Sequence, residues 1–106
     1  MSGLPGRQIN FDSINSTAMA RLLDILSRWL PDGRREGHEW TARNPRRADR
    51  KPGSFRVNID NGRWADFATN DRGGDPVSLA AYLGDLSQVD AALHLADMLG
   101  VDPYGR

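Results

Sequence analysis

The sequence contains no cysteine, and this absence excludes disulfide bonds and zinc sites built on thiolates. His38 and His94 are the remaining imidazole donors, and no aspartates are grouped with them at a metal-ligand spacing. The chain also lacks an apolar run long enough to cross a bilayer, and Met1 to Asn10 shows no signal-peptide pattern. We therefore expect a cytoplasmic protein with no membrane partner and no metal or other cofactor.

Net charge is absent as well, since 14 basic residues balance 14 acidic ones. The charges are nevertheless unevenly placed. From Arg34 to Arg63 there are nine basic residues and four acidic ones, whereas Trp64 to Arg106 holds two basic residues and seven aspartates. This asymmetry predicts a basic face on a neutral body, the kind of surface that binds nucleic acid. The alternative is a solvated loop whose arginines bind nothing.

Catalytic patterns are missing too. The sequence shows no paired acids, no Ser-His-Asp pattern and no reactive thiol. Gly73 and Gly74 precede a predicted helix, but the Gly-Lys-Ser/Thr ending of a phosphate-binding loop does not follow. We expect a protein that is not an enzyme on its own.

Helical periodicity is found towards both ends of the chain. The 106 residues suffice for one small domain. Residues 1–12 have the composition of a flexible lead, and we expect a single domain over 13–106. The spacing of apolar residues predicts one N-terminal helix from about Ser16 to Leu30, with a cap oxygen from Ser13, Asn15 or Ser16. Two helices should close the chain, one capped by Asp75 and stopped by Gly84, the other capped by Ser87 and ended by Gly100. The apolar stripe of the last helix would comprise Val89, Ala92, Leu93, Ala96 and Leu99.

Alternation of apolar and polar residues predicts a small antiparallel sheet between these helices. Glu39 to Arg43 and Ser54 to Asp60 are predicted strands, and Asn61-Gly62 is a strong signal for a two-residue turn into a third strand. That register places Ile59 opposite Trp64, Val57 opposite Asp66, and Arg56 with Phe67 on the outer face. The predicted fold is α+β, a three-stranded antiparallel sheet with one N-terminal and two C-terminal helices.

Basic residues concentrate around this sheet and form the candidate nucleic-acid site. Arginine binds phosphates and stacks on bases, and exposed aromatic rings on a sheet stack with unpaired bases. The candidate binding residues are Arg43, Arg46, Arg47, Arg50, Lys51, Arg56, Arg63 and Phe67. For Phe67 the sequence leaves base stacking and burial in the core both open.

Five further residues are predicted to be structural. Trp64 should lie in the core, and Gly73, Gly74 and Asp75 should form the start of a helix. Asp66 should point toward the core, where an unpaired charge is costly. We expect it to accept hydrogen bonds from the loop between Ala68 and Gly74, or to pair with an arginine of the loop between Ala42 and Ser54.

The stretch from Trp40 to Leu83 combines the arginine loop, the Gly53-Ser54-Phe55 strand start, the Trp64-Ala65-Asp66-Phe67 strand and Gly73-Gly74-Asp75 before a helix. Together these motifs resemble the N-terminal zinc-ribbon domain that binds template in bacterial and phage primases. More closely, the stretch is similar to the cysteine-less, zinc-free version at the front of primase-helicases of phages and mobile elements. The resemblance covers roughly residues 15 to 100. It implies that the two metal-binding knuckles of the ribbon correspond to about Asn44–Ala48 and to Phe67 and Asn70.

The resemblance implies a non-catalytic module that binds single-stranded DNA, the template, in replication by a phage or mobile-element primase or primase-helicase. Its expected partners are single-stranded DNA and a primase catalytic domain or replicative helicase. One alternative is a protein-interaction module that docks on a helicase or primase subunit. Another is a decoy domain that inhibits a host process.

Overall fold

The computed structural model of the chain describes residues 8–46 and 53–105. Within those residues it contains four helices and five strands, none of the helices long and apolar enough to cross a membrane. The fold is α+β, as predicted. The elements are α1 Phe11–Ala20, α2 Leu22–Trp29, β1 Arg34–Glu36, β2 Glu39–Ala42, β3 Phe55–Asn58, β4 Trp64–Asp66, β5 Asp71–Gly73, α3 Pro76–Gly84 and α4 Gln88–Leu99.

Two N-terminal helices replace the single predicted one. The first begins at Phe11 rather than near Ser16, because the side chain of Asn10 accepts the backbone N–H of Ser13 and caps it. The helix is interrupted at Arg21, and this interruption divides the apolar stripe between two core clusters. Residues of α1 pack against α4, whereas Leu22 and Leu26 of α2 pack against the sheet. Residues 1–7 of the predicted lead lie outside the described residues.

The sheet has five strands in the order β1-β2-β3-β4-β5, all antiparallel, so the prediction of three strands was wrong. The two additional strands form its edges. Each has three residues, and their side chains are largely exposed and polar or glycine. They therefore lack the alternation of apolar and polar residues by which a half-buried strand is detected.

The turn between β3 and β4 is longer than predicted. Val57, not Ile59, lies opposite Trp64. The Asn58 side chain accepts the amides of Asp60 and Asn61, and the Asn58 carbonyl accepts that of Gly62. This side-chain-supported turn replaces the predicted two-residue turn. The register therefore slips by two residues, and because side chains alternate with a period of two, every residue keeps its predicted face.

The core comprises two connected clusters. One joins α1, α3 and α4 and includes Ile25 of α2. The other lies between the inner face of the sheet and helices α2 and α3, with Phe55, Val57, Trp64, Leu26 and Leu79 at its centre. Trp29 packs against both clusters. The helices consequently cover one face of the sheet and leave the opposite face open.

The caps of the two C-terminal helices largely follow the prediction. Asp75 and Ser78 form a capping box at α3, Ser87 caps α4 and Gly100 ends it in a left-handed conformation. Helix α3 includes Gly84, and Asp85 forms its left-handed cap. The predicted apolar stripe of α4 was partly wrong, because Val89 is exposed and Leu93 half-buried, while the buried residues are Ala91, Ala92, Leu95, Ala96 and Leu99. Packing against both α1 and α3 rotates and widens the buried face.

The two ends of the described chain lie side by side. The backbone N–H of Asn10 donates to the carbonyl of Pro103 at 2.8 Å, and its side-chain amide donates to the carbonyl of Gly105 at 2.6 Å. One asparagine thus caps the first helix and also fastens the C-terminal segment to it.

Candidate nucleic-acid interface

The open face of the sheet carries arginines that come from three neighbouring strands or their ends. Arg56 of β3 lies opposite Ala65 of β4, and Ala65 lies opposite Arg72 of β5. Arg63 precedes β4, and its carbonyl accepts the amide of Asn58. Because Ala65 has a short side chain and lies between two arginines, the centre of this face stays open.

These residues line a groove of about 280 Å³, which we call the outer groove. Its charged residues are three arginines and one glutamate, so it is basic. The lining consists of Glu39, Arg56, Asn58, Asn61, Arg63, Trp64, Ala65, Phe67, Arg72 and Gly73. Arg72 was not among the predicted binding residues. Arg72 could be identified from the sequence only if β5 were recognised as a strand, because the pairing of β4 with β5 places Arg72 opposite Ala65.

Arg56 is oriented by contacts on its own face. Its Nε donates to the carbonyl of Gly53 at 2.9 Å, and Nη1 lies 3.2 Å from Oε1 of Glu39. Its guanidinium also lies over the ring of Phe67, 5.9 Å from the centroid. Arg56 is thereby held in place, with its planar group beside an aromatic ring.

Phe67 is outside the core, with 69% of its surface exposed. It follows β4 directly, and its amide donates to the carbonyl of Ser54. Of the two alternatives that the sequence left open, burial is therefore wrong. A large exposed apolar ring in a groove lined by three arginines is an arrangement on which an unpaired base can stack.

Two other candidate residues, Arg43 and Arg46, are not among the residues that line the outer groove. Arg43 pairs with Asp32 at 2.7 Å. Arg46 lies over the ring of Tyr82 on α3, 5.0 Å from its centroid, and pairs with Asp85 at 3.5 Å. Arg47, Arg50 and Lys51 lie outside the described residues. The ion pair with Arg43 lowers the pKa of Asp32 from its ordinary value.

Asp66 is fully buried on the inner face, as the sequence predicted. Its Oδ1 accepts the amide of Ala68 at 2.9 Å, and its Oδ2 accepts the side-chain amide of Asn44 at 2.8 Å. The same amide group donates to the hydroxyl of Tyr82, which donates to Asp71 at 3.0 Å. We call Asn44, Asp66, Asp71 and Tyr82 the polar clamp. Burial, with the hydrogen bond to Asp71, raises the pKa of Tyr82 above its ordinary value.

The polar clamp joins the two segments that the sequence resemblance matched to metal-binding knuckles. Its residues do not fit such a site. Asn44 directs N–H groups, which cannot ligate a metal, toward Asp66 and Tyr82, while its oxygen accepts the amide of Arg46. Among residues 8–46 and 53–105, no three His, Cys, Asp or Glu side chains lie close enough to hold a metal ion. Hydrogen bonds connect these two segments.

The junction between β5 and α3 is tightly packed. Trp64 is buried, and its indole N–H donates to the hydroxyl of Ser78 at 3.0 Å. A Cβ atom at Gly73 would lie 2.5 Å from that indole nitrogen and from that hydroxyl oxygen, whereas one at Gly74 would meet nothing within 4 Å. Gly73 therefore allows the tryptophan to reach the helix.

Among solved structures, the Aquifex aeolicus primase, in a structure of its zinc-binding and RNA polymerase domains, superposes on this chain with a TM-score of 0.73. The chain shares its fold with part of that primase. The match covers 90% of this chain at 23% sequence identity. The chain spans 22% of the Aquifex primase chain, so the likeness concerns one portion of it. No protein-family profile matches the sequence, and no curated protein matches it.

Proposed function

We propose that the chain is a non-catalytic module that binds single-stranded DNA in the outer groove and holds template for a replication primase or primase-helicase of a phage or mobile element. The observation that carries the proposal is the outer groove itself, which Arg56, Arg63 and Arg72 line together with the exposed ring of Phe67. The fold shared with part of the Aquifex primase supports the connection to priming.

The chemistry of the outer groove favours a single strand over a duplex. Arginine contacts the phosphates of either form, but an aromatic ring gains stacking energy only from a base that is not paired within a helix. Phe67 is positioned for that contact, because Arg56 supports one side of the ring and the remainder faces solvent. Arg63 and Arg72 are exposed and available to the backbone of the same strand.

The module would depend on a partner for chemistry. A primase catalytic domain or a replicative helicase would polymerise or translocate while this module retains the strand. The sequence itself offers no constellation of residues that forms or breaks a bond.

Fluorescence anisotropy with a labelled single strand of about 15 nucleotides tests the proposal, a length that spans the usual site size of one small domain. We expect log K to fall with log salt concentration with a slope of about −2, since three arginines each contribute roughly −0.7. Arg63→Ala combined with Arg72→Ala should weaken binding and reduce the slope to about −0.7. Duplex of the same length should bind more weakly than the single strand.

Arg21→Ala combined with Arg28→Ala is the matched control, because both arginines are exposed on the helical side of the molecule. It removes the same charge and should leave the affinity and the slope close to those of the wild type. Equal losses in the two double variants would mean that the chain attracts DNA only through its total charge. Absence of binding by the wild type at low salt would overturn the proposal.

A further inference from the structure

A second groove lies on the helical side of the molecule, away from the sheet face that carries the arginines. It measures about 390 Å³ and is formed by α2, α3, α4 and the loop that follows β2. We call it the helical groove. Among the residues that the structure describes, its lining is apolar except for one histidine and consists of Trp29, Pro45, Ala80, Leu83, Gly84, Leu86 and His94.

Helix α4 carries two carboxylates on the same face as the histidine that lines this groove. Asp90, His94 and Asp97 recur at helical spacing, so the two carboxylates lie one turn before and one turn after the histidine on the same face. Both are exposed, and neither forms an ion pair with any residue the structure describes. At the end of α3 the charges cancel, because Asp85 pairs with Arg46.

We propose that the helical groove binds a segment of another protein that carries a large apolar side chain flanked by lysine or arginine. The apolar lining, with a tryptophan among its members, accommodates the side chain, and tryptophan is a residue on which binding energy often concentrates. The carboxylates of α4 select basic flanks over acidic ones. Insertion of apolar anchor side chains from a short helix into a groove is a common mode of peptide recognition.

The proposal is independent of DNA binding, because no described residue lines both grooves. The chain would bind its strand on the sheet and a protein on the helices at the same time. A module of this kind could hold a template while remaining attached to the protein that acts on it.

Selection of peptides from a random phage-displayed library on the intact chain tests the proposal. We expect the selected peptides to place leucine, isoleucine, phenylalanine or tryptophan next to lysine or arginine. The strongest peptide is then synthesised and titrated into isotopically labelled protein. The indole N–H signal of Trp29 should shift, while those of Trp40 and Trp64, which donate to Leu30 and Ser78, should stay in place.

Variants of the groove supply the second arm. Asp90→Asn with Asp97→Asn should lower the affinity for the peptide about fivefold, which is the effect expected from two exposed charge interactions. Asp12→Asn with Asp24→Asn, which changes two carboxylates that are also exposed but lie on α1 and α2, should not weaken peptide binding. Leu83→Gln should weaken it further, and because Leu83 is half-buried, its folding is checked first by circular dichroism.

Four outcomes would overturn the proposal. These are failure to select any peptide, selection of acid-rich peptides, a peptide that shifts Trp64 instead of Trp29, and self-association of the chain that Leu83→Gln abolishes. The last would show that a second copy occupies the helical groove. None of these results bears on the affinity for single-stranded DNA, so failure here and failure of the DNA-binding proposal remain distinguishable.

Discussion

Single residues decide how the second loop of the sheet is held. Asp66 is fully buried and accepts hydrogen bonds from the amide of Ala68 and from the side chain of Asn44. Asp66→Ala would leave both donors without this acceptor, and a buried unsatisfied group costs about 1–3 kcal/mol. We predict a loss of this size in the free energy of unfolding, measured by chemical denaturation. Asp90→Ala, a substitution of an exposed carboxylate, should change stability little. No loss at Asp66 would mean that the carboxylate is hydrated in solution.

In contrast to Asp66, Phe67 should contribute to DNA binding and not to stability. Because its ring is largely exposed, Phe67→Ala should leave the denaturation midpoint nearly unchanged. If a base stacks on the ring, the affinity for single-stranded DNA should fall by about 1–3 kcal/mol, with an unchanged salt slope because no phosphate contact is lost. Anisotropy titrations at several salt concentrations measure both quantities. An affinity equal to that of the wild type would show that Phe67 is not part of the binding site, which would then consist of the arginines.

At the level of secondary-structure elements, the junction between β5 and α3 sets how the sheet meets the helices. Gly73→Ala would place a methyl group against the indole of Trp64 and the hydroxyl of Ser78, and overpacking of this kind costs about 1–3 kcal/mol. Gly74→Ala meets open space and should be neutral or stabilise by about 0.4–1 kcal/mol through the unfolded chain. Thermal and chemical denaturation of the two variants, which differ by one position, measure the contrast. Equal effects would mean that the junction can shift to accommodate a side chain.

The same elements show what the sequence could predict and why. Strand β3 and helices α3 and α4 were predicted because alternation, caps and terminal glycines are local signals. Strands β1 and β5 were missed since three-residue edge strands bury too little to leave a pattern. The turn after β3 was mispredicted because the side chain of Asn58 competes for the amides that a two-residue turn would leave to the backbone.

The candidate site divides along similar lines. The faces of Arg56, Phe67, Trp64 and Asp66 were predicted correctly, because a register slip of two residues does not exchange the faces of a strand. Arg72 required knowledge of β5. The partners of Arg43 and Arg46, Asp32 and Tyr82, are set by the packing of distant elements and leave no trace in local sequence.

At the scale of the whole molecule, hydrogen bonds and an apolar core hold the described part of the chain together. The polar clamp links the two loops that resemble metal-binding knuckles, and the inner face of the sheet packs on α2 and α3. We predict that a strong chelator leaves the melting temperature unchanged, that added zinc does not raise it, and that elemental analysis finds no stoichiometric zinc. Differential scanning fluorimetry with and without chelator measures the first two. A melting temperature that falls on chelation would show that a metal contributes to folding.

The contact between Asn10 and the C-terminal segment determines how the connectivity of this fold could be changed. Because Asn10 donates to the carbonyls of Pro103 and Gly105, the points at which the chain enters and leaves the domain are neighbours. A short linker could join them, and new ends could be opened at Gly37, in the exposed turn between the first two strands, without unpairing any strand of the sheet. The fold is thus suited to circular permutation, and equally to insertion as a whole into a surface loop of another protein.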